Sequence, residues 1–398
     1  MKISDRLYGQ IDVNGRELKL LQTRQIAHLR NLSLSVVPPA FVAASTCATK
    51  FEHSLGVAYL ARLLADDFEE ISFEIFCACL AHDCGTPPFS HTSEHLLYEV
   101  TGKNHEEFAI DVLQNSEFGD EVTKHGDFSL VLDLIIGKGT FGKLINGTID
   151  LDNLDNSLRY GVSQGLIRGR LPYSPEKIAR AFRFRGGKIC LVNELDGLTQ
   201  VINREILGWI SCREQIYQFA YGPVNLAAGL MLFRALDFAF RAGDIRPSFF
   251  KLTEAEAILY LLKEAAWKSR RLIEKLNCWR FYRLAHNRVV DKSNLTHYLG
   301  SVRQLRGELA DQLAKVLNVK DEEVIVYLGS GRTYKQIDLK LLGYNGEAIP
   351  LPQMKKSTDF VIQVYLDPDI VTEQVKNTVA GFVEEILQQK ALLANAYY

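Results

Sequence analysis

Two histidines and two aspartates set the chemistry open to this chain. His53 lies in Lys50-Phe51-Glu52-His53-Ser54-Leu55-Gly56. The pair His82-Asp83 ends the run Phe76-Cys77-Ala78-Cys79-Leu80-Ala81, and Asp152 sits in Asp150-Leu151-Asp152-Asn153-Leu154-Asp155. Two imidazoles and two carboxylates suit one divalent metal ion, with coordination positions left for water and a substrate oxygen. An adjacent His-Asp means little alone. After six apolar or small residues it means more, because an ionisable pair buried there without partners costs several kcal/mol. The alternative is a set of satisfied polar groups in a core. Mixed His and carboxylate ligands accept Mn, Fe, Mg, Co, Ni or Zn, so the sequence does not choose the ion. A second group follows closely. His91 and Glu94, three residues apart, can meet on one helical face, where a carboxylate on one ring nitrogen fixes the tautomer and leaves the other free. The bland alternative is a solvent-facing helix pair.

These residues need elements to hold them. Leu55, Tyr59, Leu60, Leu63 and Leu64 form one apolar stripe with His53 at its start. Glu74 to His82 reads as a buried helix ending in the His-Asp pair, and Gly85 with Pro87-Pro88 breaks it. Helical patterns continue over Glu94–Val100, Glu106–Leu113 and 128–136. Thr253 forms a capping box with Glu256, opening one long helix from Glu254 to Lys275. Beyond about residue 320 the pattern changes. Val324–Leu328 and Phe360–Leu366 read as strands, Asn345-Gly346 is a turn linking Ile337–Tyr344 to Glu347–Leu351, and Thr372–Leu393 is an amphipathic helix. The expected fold is mainly α: a large all-helical domain over 1–318, its metal core at about 50–160, and a small C-terminal α+β subdomain over 319–398.

The chain of 398 residues can bury a substantial core, and its 47% hydrophobic and 24% charged content is ordinary for a globular protein. A net charge of −2 argues against a protein that binds polyanions over its whole surface. Two clusters are locally basic. One runs from Arg168 to Lys188; the other, from Lys268 to Arg288, interleaves with Trp267, Trp279, Phe281 and Tyr282. Either can hold phosphate, a nucleotide effector or single-stranded nucleic acid, or be a solvated face over an aromatic core stripe. Met1 leads into Lys2-Ile3-Ser4-Asp5 without an apolar h-region, and no uninterrupted apolar run reaches about 18 residues, so no membrane association is expected. Seven cysteines without Cys-x-x-Cys spacing fit reduced thiols in a cytoplasmic protein. Cys84 reads as a packing residue beside the His-Asp pair. His28, His95, His125, His286 and His297 read as packing or surface residues.

The stretch His82-Asp83-Cys84-Gly85-Thr86-Pro87-Pro88-Phe89-Ser90-His91-Thr92-Ser93-Glu94 resembles the HD-domain phosphohydrolases, and within them the bacterial dGTP triphosphohydrolases. Lys50 to Gly56 and the opening Ile3-Ser4-Asp5-Arg6-Leu7-Tyr8-Gly9 look more like the animal dNTPases that join a sterile alpha motif to an HD domain. The resemblance is dense over 50–94, thinner over 150–160 and loose to about Phe240. It implies a metal held by His53, His82, Asp83 and Asp152, with His91 and Glu94 serving the attacking water. It places His105 near the substrate phosphates, where it can protonate the leaving nucleoside oxygen. Homo-oligomers are also implied.

Substrate positions depart from the family. Lys50 stands in for a phosphate-contacting arginine, keeping the charge but losing the bidentate fork. Asn153 replaces a phosphate-binding lysine, Asn156 a tyrosine that packs on the sugar, and Tyr160 a carboxylate that reads a 3′-hydroxyl. Arg213 and Tyr217 fall where relatives bind phosphate, but Phe219 and Ala220 hold positions that are basic there. Leu34 occupies the place of a glutamine beside the base. Arg30 matches a contact to an activating guanine nucleotide, whereas Gln22 replaces an aspartate that reads guanine. The expected function is a metal-dependent nucleotide phosphohydrolase, foremost a dNTP triphosphohydrolase. The alternatives are a nucleotidase or phosphodiesterase on another phosphate ester, and a nucleotide- or nucleic-acid-binding regulator with vestigial catalysis.

Overall fold

A computed structural model describes the chain except for residues 36, 42–46, 194–199, 292–301, 330–336, 338, 344–345, 352–358 and 396–398. His297 and Asn345 therefore lie outside the described residues. The chain opens with a hairpin, β1 (Lys2–Asp5) and β2 (Gly9–Asp12), in antiparallel register. Helices follow: α1 (Gly15–Leu21), α2 (Arg24–His28), α3 (Lys50–Ala61), α4 (Ser72–Ala81), α5 (His91–Thr101), α6 (His105–Leu113), α7 (Glu117–Thr123), α8 (Phe128–Ile135), α9 (Leu151–Ser163) and α10 (Pro175–Ala181). A second hairpin, β3 (Phe182–Arg185) and β4 (Lys188–Val192), precedes α11 (Val201–Ala220), α12 (Pro223–Arg241), α13 (Glu254–Lys263) and α14 (Trp267–Asn277). The remainder is β5 (Arg283–Asp291), α15 (Val302–Leu317), β6 (Val324–Gly329), β7 (Lys340–Leu342), β8 (Ala348–Ile349), β9 (Asp359–Leu366) and α16 (Glu373–Asn395).

The fold is mainly α, as expected, with three apolar cores among the described residues. The first joins α1–α4 to α8–α11 through residues such as Phe51, Leu55, Cys79, Leu154 and Trp209. The second gathers α5, α6 and α12–α14 around Phe89, Leu97, Phe108, Met231 and Phe249. The third seats α15 and α16 on the antiparallel sheet β5-β9-β6. Chemistry-bearing residues come from both sides of the first two cores.

Several elements differ from the sequence expectation. The long helix expected over Glu254–Lys275 is two helices, because the Asp244 carboxylate takes the Ala266 N–H at 2.7 Å and turns the chain before α14. Two small hairpins, at 2–12 and 182–192, interrupt the region read as all helical. The C-terminal sheet takes an edge strand from β5, ahead of residue 319, and β7 runs parallel to β4. The strand-turn-strand around Gly346 is present as β7 and β8, and Gly346 adopts φ 78°, which suits a residue without a side chain. α12 is long and apolar enough to cross a membrane. It is a core helix here, 61% buried and carrying the buried Arg234 and Asp237.

A candidate metal centre and its proton carriers

Local sequence fixes each element that carries the site. A reciprocal capping box starts α3: Thr49 Oγ1 accepts the Glu52 N–H at 3.1 Å and Glu52 accepts the Thr49 N–H at 2.8 Å, putting His53 in the first turn. α9 is capped by Asp150, whose carboxylate accepts the Asn153 N–H at 2.6 Å and leaves Asp152 in the first turn. α4 is apolar and buried over Ile75–Ala81, and its end tightens into a single 3₁₀ turn, His82–Gly85. Asn104 and Glu107 box the start of α6, placing His105 at its first residue.

Two glycines let these elements close up. A Cβ on Gly56 would lie 2.2 Å from Asp155 Oδ2 and 2.4 Å from Arg159 Nη2, so α3 and α9 meet only because that position is bare. A Cβ on Gly85 would lie 2.1 Å from the His105 carbonyl oxygen, so the His82–Gly85 turn touches the α6 backbone.

The closure brings the buried His53 and His82 together with the partly exposed Asp152 in one cluster. His53 Nε2 is 2.9 Å from Asp152 Oδ1 and 3.7 Å from Asp83 Oδ2; His82 Nε2 is 3.8 and 3.5 Å from the same two atoms. Ligand atoms around an ion at about 2.1 Å stand about 3 to 3.5 Å apart, which these separations approach. Among the described residues His82 Nε2 is buried without a hydrogen bond, while His53 Nε2 has the Asp152 carboxylate and Asp83 Oδ2 the Lys50 ammonium, each at 2.9 Å. Buried polar atoms are almost always satisfied, so an unsatisfied imidazole nitrogen facing a second imidazole and two carboxylates fits a divalent cation. Each imidazole is anchored on its other nitrogen, His53 Nδ1 by Asp155 Oδ1 and His82 Nδ1 by the Cys79 carbonyl, both at 2.8 Å.

Charge balance follows from burial. Desolvation works against each charged form, and at His53, His82 and Asp83 the neighbours override it. Lys50 first, then His82 and His53, hold Asp83 well below the usual carboxylate range against its burial and the like charge of Asp152. Asp150 is pushed up to about 7 by burial and by repulsion from Asp152. Lys50 does reach the site, but its ammonium sits 3.0 and 2.9 Å from the two Asp83 oxygens and so helps to hold a ligand. Thr86 Oγ1 donates to the same carboxylate at 2.7 Å. Cys84 stays out of the cluster: it is buried, with its thiol 3.8 Å from the Gln25 carbonyl.

Beside the cluster, Glu94 accepts from His91 Nδ1 and from His105 Nδ1, each at 2.9 Å. The expected His91–Glu94 pair is thus a group of three. Burial depresses the His105 pKa, but the Glu94 carboxylate more than offsets this and the net shift is upward. Glu94 is held well below its usual range, the two imidazoles overcoming its desolvation. The backbone entering α5 is strained: Phe89 and Ser90 adopt φ of 69° and 47°, left-handed values unusual for residues with side chains.

The substrate positions are partly assembled. Arg213 donates to Asn153 Oδ1 at 2.5 Å and to Tyr217 Oη at 2.8 Å, with its guanidinium against the Trp209 ring at 4.9 Å. Asn153 spends its amide N–H on Asp150 at 3.0 Å. Asn156 is half-buried, one turn beyond Asp152 on the same face of α9. Among the other histidines, His95 stacks on Phe233 at 4.4 Å and His125 meets Phe73 edge-on, both packing roles. Asp155, Arg159, Asp5 and Tyr8 were not singled out by sequence reasoning. The only local signal was the four-residue spacing of Asp155 and Arg159, which allows a helical ion pair; nothing local tied Asp5 or Tyr8 to α9.

Residues 51–143 match the family model "HD domain". An uncharacterised protein of Methanocaldococcus jannaschii is 27% identical over 236 residues, 59% of this chain and 49% of that protein. The deoxynucleoside triphosphate triphosphohydrolase SAMHD1 homolog of Dictyostelium discoideum is 28% identical over 151 residues, 34% of this chain and 29% of that protein. The chain thus spans about half the length or less of these relatives. A phosphohydrolase from Bacteroides thetaiotaomicron shares the fold, with a TM-score of 0.68 at 18% identity, over 92% of this chain and 99% of the other.

Proposed function

We propose, from the HD domain that residues 51–143 match, that the chain is an HD-domain phosphohydrolase and that it hydrolyses deoxynucleoside triphosphates to nucleoside and tripolyphosphate. The observation that carries this reading is the placement of the Glu94 carboxylate, with two imidazoles on it, beside a metal-binding cluster. His53, His82, Asp83 and Asp152 would hold one divalent ion, which when bound supplies a Lewis acid for a phosphoryl oxygen and for water.

The chain's own residues carry the proton traffic. Because Glu94 accepts at both Nδ1 atoms, each ring keeps its Nε2 for substrate or water. His91 is 63% exposed and can exchange its proton with solvent, so it suits the water that attacks the α-phosphorus. His105 is more enclosed and favours its protonated form, so it suits delivery of a proton to the leaving nucleoside oxygen. Arg213, fixed by Asn153 and Tyr217, offers a cation to the phosphates.

One observation favours a different phosphate ester as substrate. Asn153 uses its amide N–H on Asp150 and its carbonyl on Arg213, so it does not replace the phosphate-binding lysine of the resembled enzymes. Incubating the purified protein with each dNTP and NTP, with Mg, Mn or Co, and resolving products by anion exchange decides between them. Nucleoside with tripolyphosphate supports the dNTPase reading. Monophosphate or orthophosphate supports a nucleotidase or phosphodiesterase, and binding without turnover supports a regulator.

For an effector, or for single-stranded nucleic acid, the second basic cluster is better placed than the first. In 168–188, Arg168 and Arg183 are bonded to backbone carbonyls and Lys177 to Glu205. In 268–288, a cleft of about 660 Å³ brings the exposed Arg280 and Arg283 beside the exposed indole of Trp279, although Asp367 and Asp369 also line it. A cation pair beside an aromatic face suits phosphate with a stacked base. Self-association belongs to the same proposal and is read by the sedimentation of the protein with and without nucleotide.

A further inference from the structure

The two metal-site imidazoles are held by different means. His82 Nδ1 has one peptide carbonyl. His53 Nδ1 has Asp155, a fully buried carboxylate that is itself held from every side. Arg159 grips it with two bonds, Nε to Oδ1 at 2.8 Å and Nη2 to Oδ2 at 2.9 Å, and Tyr8 Oη donates to Oδ2 at 2.8 Å. The third arm of Arg159 reaches Asp5 Oδ2 at 2.8 Å. The other Asp5 oxygen accepts the N–H groups of Leu7 and Tyr8 at 2.8 and 3.0 Å, closing the turn between β1 and β2. A continuous run of charge-assisted hydrogen bonds therefore joins the N-terminal hairpin to His53, across 147 residues of sequence at the Tyr8–Asp155 contact.

We infer that Asp155 is the positioning residue of the metal centre, and that the N-terminal hairpin is a working part of that centre through Tyr8 and Asp5. Asp155 meets His53 at Nδ1, the nitrogen turned away from the cluster, and so acts through His53. A carboxylate on Nδ1 fixes the tautomer whose Nε2 lone pair faces the cluster, and makes that nitrogen the better donor. Asp5 and Asp155 carry two negative charges against one on Arg159, so the run presents a net negative charge to the imidazole. Nothing in a hydrophobic core requires this. A buried carboxylate–guanidinium–carboxylate set is at best a modest source of stability, and an apolar triad of the same volume often does as well. Gly56 is the third member of the argument, since its missing Cβ is the space that Asp155 Oδ2 and Arg159 Nη2 occupy. The inference rests on the metal reading and is independent of the substrate.

The test uses the full chain stripped of metal by chelation and titrated with Co²⁺, followed through its visible absorption. Asp155→Asn is expected to weaken Co²⁺ binding by about 10- to 100-fold and to move the visible band, as loss of such a partner does. Tyr8→Phe removes one hydroxyl and is expected to weaken binding several-fold with the melting temperature of the metal-free protein nearly unchanged. A purely structural network would lower that melting temperature while leaving Co²⁺ affinity and the band as in the parent; this result overturns the inference. If Asp155→Asn does not fold, Tyr8→Phe decides alone: parental affinity and band overturn the inference, and weaker binding supports it. A parent protein that binds no Co²⁺ overturns the metal reading and the inference together.

Discussion

Two carboxylates in this molecule each hold a histidine through Nδ1, and they do so in opposite surroundings. Asp155 is fully buried and receives His53, Tyr8 and two bonds from Arg159. Glu94 is 27% exposed and receives two imidazoles, one of them 63% exposed. The pairing is the same; the number of donors and the access of water differ. Four donors in a dry site leave His53 no other orientation, as a metal ligand requires. Two imidazoles on a half-exposed carboxylate can exchange protons with water, as acid and base catalysts must.

The largest expected effect tests whether the buried side is a metal site at all. His82→Ala or Asp83→Ala should abolish both bound metal and turnover, read by metal analysis and product formation. Full activity in either variant would remove the basis of the comparison. Glu94→Gln should separate the two sides: bound metal stays at the parental level while turnover falls by about 10²- to 10⁴-fold, the usual worth of general acid–base groups. The glycines sharpen it further. Gly85→Ala sets a Cβ against the His105 carbonyl, which cannot yield, whereas Gly56→Ala meets the ends of two side chains, which can shift. Denaturant titration should therefore show the greater loss for Gly85→Ala, about 1 to 3 kcal/mol or more, with the lesser loss for Gly56→Ala accompanied by weaker metal binding.

The smallest effect is in pH. His105 has a folded pKa raised above 6.5, so its contribution is complete below pH 6.5 and is lost as pH rises through the folded value. Glu94 has a folded pKa held well below 4.5, so its contribution is present above pH 4.5 and is lost as pH falls through the folded value. His105→Gln should flatten the decline in stability above pH 6.5 by about 1 kcal/mol, the net contribution of a typical hydrogen bond at a partly exposed site, measured by thermal melts across pH. A parallel decline in both proteins would show that His105 gains nothing from Glu94.

How far the sequence could be read differs between these regions for physical reasons. The candidate ligands His53, His82, Asp83 and Asp152 stood out in the sequence because each lies beside a strong local pattern: a capping box, an apolar run, an Asp-rich helix start. The His91–Glu94 pair was legible because three-residue spacing is a property of the helix itself. The share of His105 in Glu94 was not, since it depends on α6 lying against the His82–Gly85 turn. Lys50 was read as a phosphate anchor; the fold places Asp83 within reach of it and sets its charge there. The break at Ala266 was missed because its cause, the Asp244 carboxylate, lies 22 residues away.

By itself the sequence determined the helical frame, the residue types able to hold a divalent ion, and the caps that put them at helix starts, because those are set by neighbours within a turn or two. Only the tertiary structure decided which nitrogen of each imidazole faces the cluster, and that the N-terminal hairpin is hydrogen-bonded through Asp155 to His53. Those outcomes come from contacts such as Tyr8 to Asp155, whose partners are brought together by Tyr8 packing on Tyr59 of α3 and by α3 packing on α9, and carry no trace in local sequence.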